Sequence, residues 1–132
     1  MTMKIHYDST LDALVIEVTG SITYEDLPPL AQQIVAHPNF RTNINQLFDC
    51  TKGQLDLSYE DLKRIAKDFM AISEVLGSKR RLALAVSRAV DFGMMRQYEV
   101  FFSGGPEVEV RAFSALPEAK VWLEAESAEN SN

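Results

Sequence analysis

Apolar and polar positions fall into short blocks along the chain, and each block has a period that names an element. Met3, Ile5 and Tyr7 alternate with Lys4 and His6, the period-two pattern of a half-buried strand. Asp8-Ser9-Thr10 is turn chemistry, and Leu11 to Thr19 alternates again, with Leu14, Ile16 and Val18 against Val15 and Glu17. So short a connection favours an antiparallel hairpin, and Gly20-Ser21 ends its second strand. Leu27, Leu30, Ala31 and Ile34 then recur at helical spacing, which predicts a helix over 23–37. Pro28 and Pro29 fit that helix if Asp26 caps it, because they then fall in the first turn, where N–H groups lack partners anyway. Thr23 can instead cap a short separate turn. His37-Pro38-Asn39 stops the helix.

Ile44 to Cys50 predicts a third strand, with Thr51-Lys52-Gly53 as a turn behind it. Ser58-Tyr59-Glu60-Asp61 is a capping box, in which the Ser58 hydroxyl accepts from the third backbone N–H and Asp61 reaches back. The helix it opens carries Leu62, Ile65, Phe69, Ile72 and Leu76 on one stripe and ends at Gly77 as an αL cap. Leu82-Ala83-Leu84-Ala85-Val86 has no polar alternation, so the strand Arg81 to Val86 is covered on both faces, as an interior parallel strand is. Its alanines leave room for a helix. Asp91 is positioned to cap a third helix, Phe92 to Phe102, stopped by Gly104-Gly105-Pro106. Glu107 to Phe113 alternates as an edge strand does. Ser114 caps a last helix that turns Leu116, Ala119, Trp122 and Leu123 inward, with Pro117 in its first turn.

The order is β-β-α-β-α-β-α-β-α. It predicts an α/β fold with a mainly parallel five-stranded sheet and an N-terminal antiparallel hairpin. In such sheets ligands meet the carboxyl ends of strands. That edge carries Asp49-Cys50-Thr51, Ser87-Arg88 and Ser114, which makes Asp49, Thr51 and Arg88 candidates for a strand-end cleft.

The third helix stands out. At 100° per residue, Val90, Phe101, Met94, Tyr98, Phe102 and Met95 span about 140°, with Phe92 beyond and Val100 on the far side. One core-facing stripe needs less. Met and aromatic side chains suit recognition surfaces, so Phe92, Met94, Met95, Tyr98 and Phe102 have three readings: burial in the monomer, a homodimer face, or the wall of an apolar pocket. Arg96, the one cation on this helix, is read as a surface ion pair or an anchor for an anionic group.

Composition narrows the function. The 132 residues, 46% of them hydrophobic, make about one domain, expected over 1–123. Residues 124–132 are polar and acidic and are expected to be a disordered tail. Lys plus Arg number 13 against 19 Asp plus Glu, a net charge of −6, which argues against a general nucleic-acid binder. The one basic cluster, Lys79-Arg80-Arg81, reads as a solvated entry to a strand. Cys50 is the only cysteine, so an intrachain disulfide is excluded. No apolar run approaches a membrane span, and the first residues lack a signal peptide's apolar core. A reduced, cytoplasmic protein is expected. His6 and His37 lie on separate elements without metal-ligand spacing, so no metal and no cofactor is expected. Cys50 reads as a buried thiol rather than a nucleophile, and Asp49 as a carboxylate bonded to backbone N–H groups or an arginine rather than a catalytic group.

The ordered set of Gly20, Phe48-Asp49, Leu82-Ala83-Leu84-Ala85-Val86, Phe92-Gly93 with Arg96, Arg111-Ala112-Phe113, and Glu118-Ala119 with Trp122-Leu123 resembles STAS-like domains, the fold of anti-sigma-factor antagonists. It is most similar to small stand-alone bacterial members, over residues 4–123. The resemblance implies a non-catalytic regulatory or protein-interaction module, working on a protein partner or on itself as a homodimer through the third helix. The fold is also similar to CRAL-TRIO lipid-transfer domains, which implies as an alternative a small apolar or lipid-like ligand between the third helix and the sheet. Phosphoswitch members carry an Asp-Ser-x-Gly motif at the second helix. Here the segment is Leu55-Asp56-Leu57-Ser58-Tyr59-Glu60, without the Asp-Ser pair or the glycine, and Ser58 reads as a plain N-cap rather than a phosphorylation site.

Overall fold

The computed structural model describes residues 1–101 and 108–130, with side chains described as far as residue 124. Two strands, β1 (Thr2–Asp8) and β2 (Ala13–Ile22), form the antiparallel hairpin. Asp8 builds its turn: Oδ1 accepts from the N–H groups of Thr10 at 2.9 Å and Leu11 at 3.1 Å. Then follow α1 (Leu27–Ala36), β3 (Asn45–Leu55), α2 (Tyr59–Ala71), a short α3 (Ser73–Leu76), β4 (Arg81–Val86), α4 (Ala89–Val100), β5 (Glu109–Phe113) and α5 (Leu116–Asn130). The sheet order is β1-β2-β3-β4-β5, parallel from β2 onward.

That order carries a packing consequence. Each parallel crossover steps to the next strand in the same direction, and right-handed connections then leave their helices on one face. Leu30 and Ile34 of α1, Leu62 and Ile65 of α2, and Met95 and Tyr98 of α4 do share one buried cluster with Ile16, Leu82, Leu84 and Val86. The opposite face is covered by α5, whose Ala119 and Leu123 pack on Val15, Leu47, Ala83 and Ala85. The alternation of β4 is therefore large toward three helices and small toward one. Its alanines let α5 approach closely, and all of Leu82 to Val86 are buried.

The boundaries differ from the local reading in ways that long-range contacts explain. Gly20-Ser21 does not end β2, and Thr51-Lys52-Gly53 is not a turn. After a register shift between Glu17 and Thr19, β2 and β3 resume parallel pairing, Gly20 with Gly53 and Ile22 with Leu55. A Cβ on Gly53 would lie 3.0 Å from the Gly20 carbonyl oxygen and 3.2 Å from that of Val18. Glycine marks a close backbone approach here, as it does at bulges.

Thr23 caps a separate 3-10 turn (Tyr24–Asp26) before α1, with Asp26 Oδ2 accepting from the Thr23 N–H at 2.8 Å. The second predicted helix is broken at Ile72, whose φ of −109° and ψ of 22° are non-helical. Gly77 has positive φ but ψ of 149°, so it leaves the helix in a glycine-only conformation rather than as an αL cap. The third predicted helix starts earlier than expected, with Arg88 as N-cap and Asp91 inside the first turn. Phe102, Gly104-Gly105-Pro106 and Glu107 lie outside the described residues. The last helix continues along the backbone past Leu123 to Asn130, in a stretch of Glu, Ala and Ser without Gly or Pro.

Ser58 behaves as the capping box requires. Its Oγ accepts from the Asp61 N–H at 3.0 Å, and Asp61 Oδ2 accepts from the Ser58 N–H at 2.9 Å. Ser58→Ala is expected to lower stability by about 1 kcal/mol, read by urea denaturation. A change below a few tenths would show that the cap contributes nothing.

Candidate functional site

The face under the three helices is not completely filled. A cavity of about 70 Å³ lies between the sheet and α1, α2 and α4. Its floor is the inward row of β3 and β4, where alternate residues point the same way: Gln46, Phe48 and Cys50 beside Leu82, Leu84 and Val86. Met95 and Tyr98 of α4 form one wall, Leu62, Ile65 and Phe69 of α2 another. Leu27 and Leu30 of α1 close the third side, and Ile22, Leu55 and Leu57 cover the end where β2 and β3 run on past β4.

The lining is apolar except at one end. Gln46 and Arg80 line the cavity and are only 1% and 5% exposed. Both sit at the amino ends of their strands, since Gln46 pairs with Leu82, two residues beyond Arg80. Arg80 Nε donates to the Gly77 carbonyl oxygen at 3.0 Å. Among the described residues its terminal Nη1 and the Gln46 Nε2 have no hydrogen-bond partner. Burial pulls the Arg80 guanidinium below its usual pKa, with the Tyr98 phenol opposing. Tyr98 is buried, and desolvation pushes its phenol up from the usual range. Cys50 is pushed up to about 12 by burial, and then by the Asp49 and Asp91 carboxylates, so its thiol stays protonated at neutral pH.

The predicted site residues separate into groups. Met95 and Tyr98 line the cavity, at 7% and 5% exposure. Phe92 and Met94 are half-buried against the core cluster beside it. Arg96 is exposed and meets Glu99 at 3.6 Å, a surface ion pair. The width of the apolar arc has a simple origin: its centre faces the core, while Val90 at one flank is 63% exposed.

Of the strand-end candidates, Asp49 and Thr51 come together, while Arg88 turns to Asp91. Asp49 Oδ1 accepts from the Thr51 N–H at 3.1 Å and from Thr51 Oγ1 at 2.6 Å. Arg88 instead grips Asp91, Nε to Oδ2 and Nη2 to Oδ1, both at 2.8 Å. Its Nη1 reaches Gln54 Oε1 at 3.3 Å. Of the two bonding arrangements expected of Asp49, the backbone N–H one is present, and among the described residues no arginine pairs with it. Among the described residues no group of three or more His, Cys, Asp or Glu side chains could hold a metal ion, and no helix is long and apolar enough to cross a membrane.

The polar end was misread from the sequence. Lys79-Arg80-Arg81 looked like a solvated strand entry, yet only Lys79 is exposed. Arg81 pairs with Glu109 at the β5 edge and lies over the Trp122 ring, 5.4 Å from its centroid. Arg80 shares parity with Leu82, Leu84 and Val86, and that places it on the helix-covered face. Gln46 likewise shares parity with Phe48 and Cys50. The signal was present in the alternation, one residue ahead of the apolar run.

A second concavity, an open groove of about 540 Å³, runs between α1 and the α2–α3 segment past Ala31, Val35, Phe69 and Val75. It has no polar group comparable with the two orphaned donors.

No protein-family model matches the chain, and no curated protein matches its sequence. Among solved structures it is similar to an uncharacterized protein from the DUF3478 family, with a SpoIIAA-like fold, from Shewanella loihica PV-4. The two share 20% sequence identity over 92% of each chain, with a TM-score of 0.57. An identity this low speaks for architecture alone: the chain has the SpoIIAA-like, that is STAS-like, α/β fold that its strand and helix order anticipates.

Proposed function

We propose that the protein is a STAS-like binding module that takes up a small apolar molecule in the cavity between the sheet and α4. The observation that carries this reading is the cavity itself, about 70 Å³ of unfilled space walled by leucines, valine, Met95 and Tyr98. Interiors are normally packed to the density of organic crystals, so an unfilled core pocket gives up dispersion contacts that an apolar guest restores. The volume suits a compact guest. At about 10–15 Å³ per water it holds roughly five to seven waters, room for a chain of a few carbons rather than a whole lipid.

The homodimer expected of the third helix draws less support. Its two central side chains, Met95 and Tyr98, point into the monomer, and Phe92 and Met94 are half-covered there.

Hexan-1-ol is the probe that tests the reading. Saturable shifts of the Leu84, Met95 and Tyr98 amide resonances are expected in heteronuclear NMR, and Leu84→Phe, which fills the cavity, should abolish them. Unmoved resonances at millimolar hexan-1-ol would end the proposal.

A further inference from the structure

We propose that Arg80 and Gln46 form a head-group subsite at one end of this cavity, and that the ligand is a small apolar carboxylate. The inference rests on the cavity reading above and adds the charge of the guest.

An ionised side chain is expensive to bury unless it is paired and hydrogen-bonded. Among the described residues no carboxylate pairs with Arg80, and the Gly77 carbonyl satisfies only its Nε. A purely structural arginine would explain that one bond, which ties the turn after α3 to the start of β4. It leaves Nη1 without an acceptor, and the Nε2 of Gln46, which lines the same cavity from the neighbouring strand, equally without one among the described residues. Two orphaned donors at the same end of one apolar cavity are an arrangement that a guest with two acceptor oxygens completes.

The chemistry of the two donors selects the guest. A carboxylate offers one negative charge and two oxygens, which match one guanidinium and one amide. A phosphate monoester would bring close to two charges into a pocket with one cation, leaving the excess buried. The rest of the lining is apolar and short, so the tail is a few carbons long. The amino-end location also differs from the carboxyl-end cleft usual in α/β sheets. The carboxyl end carries Asp49, whose charge would repel an anion.

The test compares hexanoate with hexan-1-ol, equal in carbon count but different in charge, by calorimetry and NMR on the full chain. Hexanoate is expected to bind about tenfold or more tightly than hexan-1-ol. Arg80→Met should bring hexanoate down to the level of hexan-1-ol. It should also raise the melting temperature of the ligand-free protein by about 5 °C, because an unpaired buried charge is replaced by an apolar side chain. If Arg80→Met does not fold, the Arg80 Nε–H resonance of the unsubstituted protein carries the test, and it should shift on adding hexanoate. Equal affinity for the two probes, or an unmoved Arg80 signal, overturns the head-group subsite and leaves the apolar cavity standing. A shift with inorganic phosphate and none with hexanoate overturns the choice of carboxylate. Binding of neither probe overturns the subsite and the cavity reading together.

Discussion

Gly77→Ala is expected to destabilise the protein by about 3 kcal/mol, a loss of roughly 10 °C in melting temperature. Two independent causes act in the same direction. The backbone at Gly77 has φ of +94° and ψ of 149°, a region that residues with a Cβ scarcely enter. The space a Cβ would need is also taken: it would lie 2.0 Å from Asn43 Oδ1 and 2.6 Å from the Asn43 backbone nitrogen. Asn43 cannot swing away freely. Its N–H donates to the Leu76 carbonyl at 2.8 Å and its Oδ1 accepts from the Lys79 N–H at 3.1 Å. Gly93→Ala is the internal control and has the opposite sign. Nothing lies within 4 Å of a Cβ there, so an exposed helical glycine is replaced by the best helix former, with a gain of about 0.5–1 kcal/mol. Equilibrium urea unfolding of both variants reads the contrast, and a Gly77→Ala loss under 1 kcal/mol would contradict this account of the crossing.

Arg88→Ala should cost about 2–3 kcal/mol. Its partner Asp91 is 1% exposed and receives two parallel hydrogen bonds from the guanidinium. Removing one member of such a pair strands the other charge out of water, typically a loss of 3–5 kcal/mol. The lower figure applies because the Arg88 side chain is 46% exposed, so water replaces part of it, and because Asp91 sits in the first turn of α4, where the helix dipole favours an anion. Arg88→Lys should recover only part of the loss, since an ammonium cannot make the two-pronged contact. In Arg88→Ala/Asp91→Asn the loss should shrink, because no charge is left stranded. Urea unfolding of the three variants separates these cases; a cost below 0.5 kcal/mol for Arg88→Ala would mean the carboxylate is solvated after all.

Much of the architecture could be read from local patterns because local patterns cause it. The unbroken apolar run of β4 announced cover on both faces, and its alanines announced room for a helix. Ser58 and Asp61 announced a helix start that needs no tertiary contact to form. What escaped was set by partners distant in sequence. Thr51-Lys52-Gly53 has the chemistry of a turn, and only the approach of Gly20 and Val18 from another strand makes it a strand. Asp91 has the chemistry of a cap, and only the grip of Arg88 moves the helix start forward to Ala89.

The candidate site divides the same way. Met95 and Tyr98 were visible as apolar excess. Gln46 and Arg80 were not, because a polar residue in a buried row looks like noise until its neighbours two positions away are counted. The Asp49, Thr51 and Arg88 group was inferred from fold-level habit; Asp49 and Thr51 satisfy each other, and Arg88 pairs with Asp91 instead.

The paired run-on of β2 and β3 beyond the end of β4 has a mechanical consequence. Over Gly20–Ile22 and Gly53–Leu55 the sheet thins to a two-stranded ribbon, and ribbons of that kind are marginal by themselves. Ile22 and Leu55 at its tip roof the hollow core. For the guest proposed above, fraying of the ribbon would be an entry that leaves the β3–β4 ladder and the α5 side intact, so that the doorway yields before the walls do.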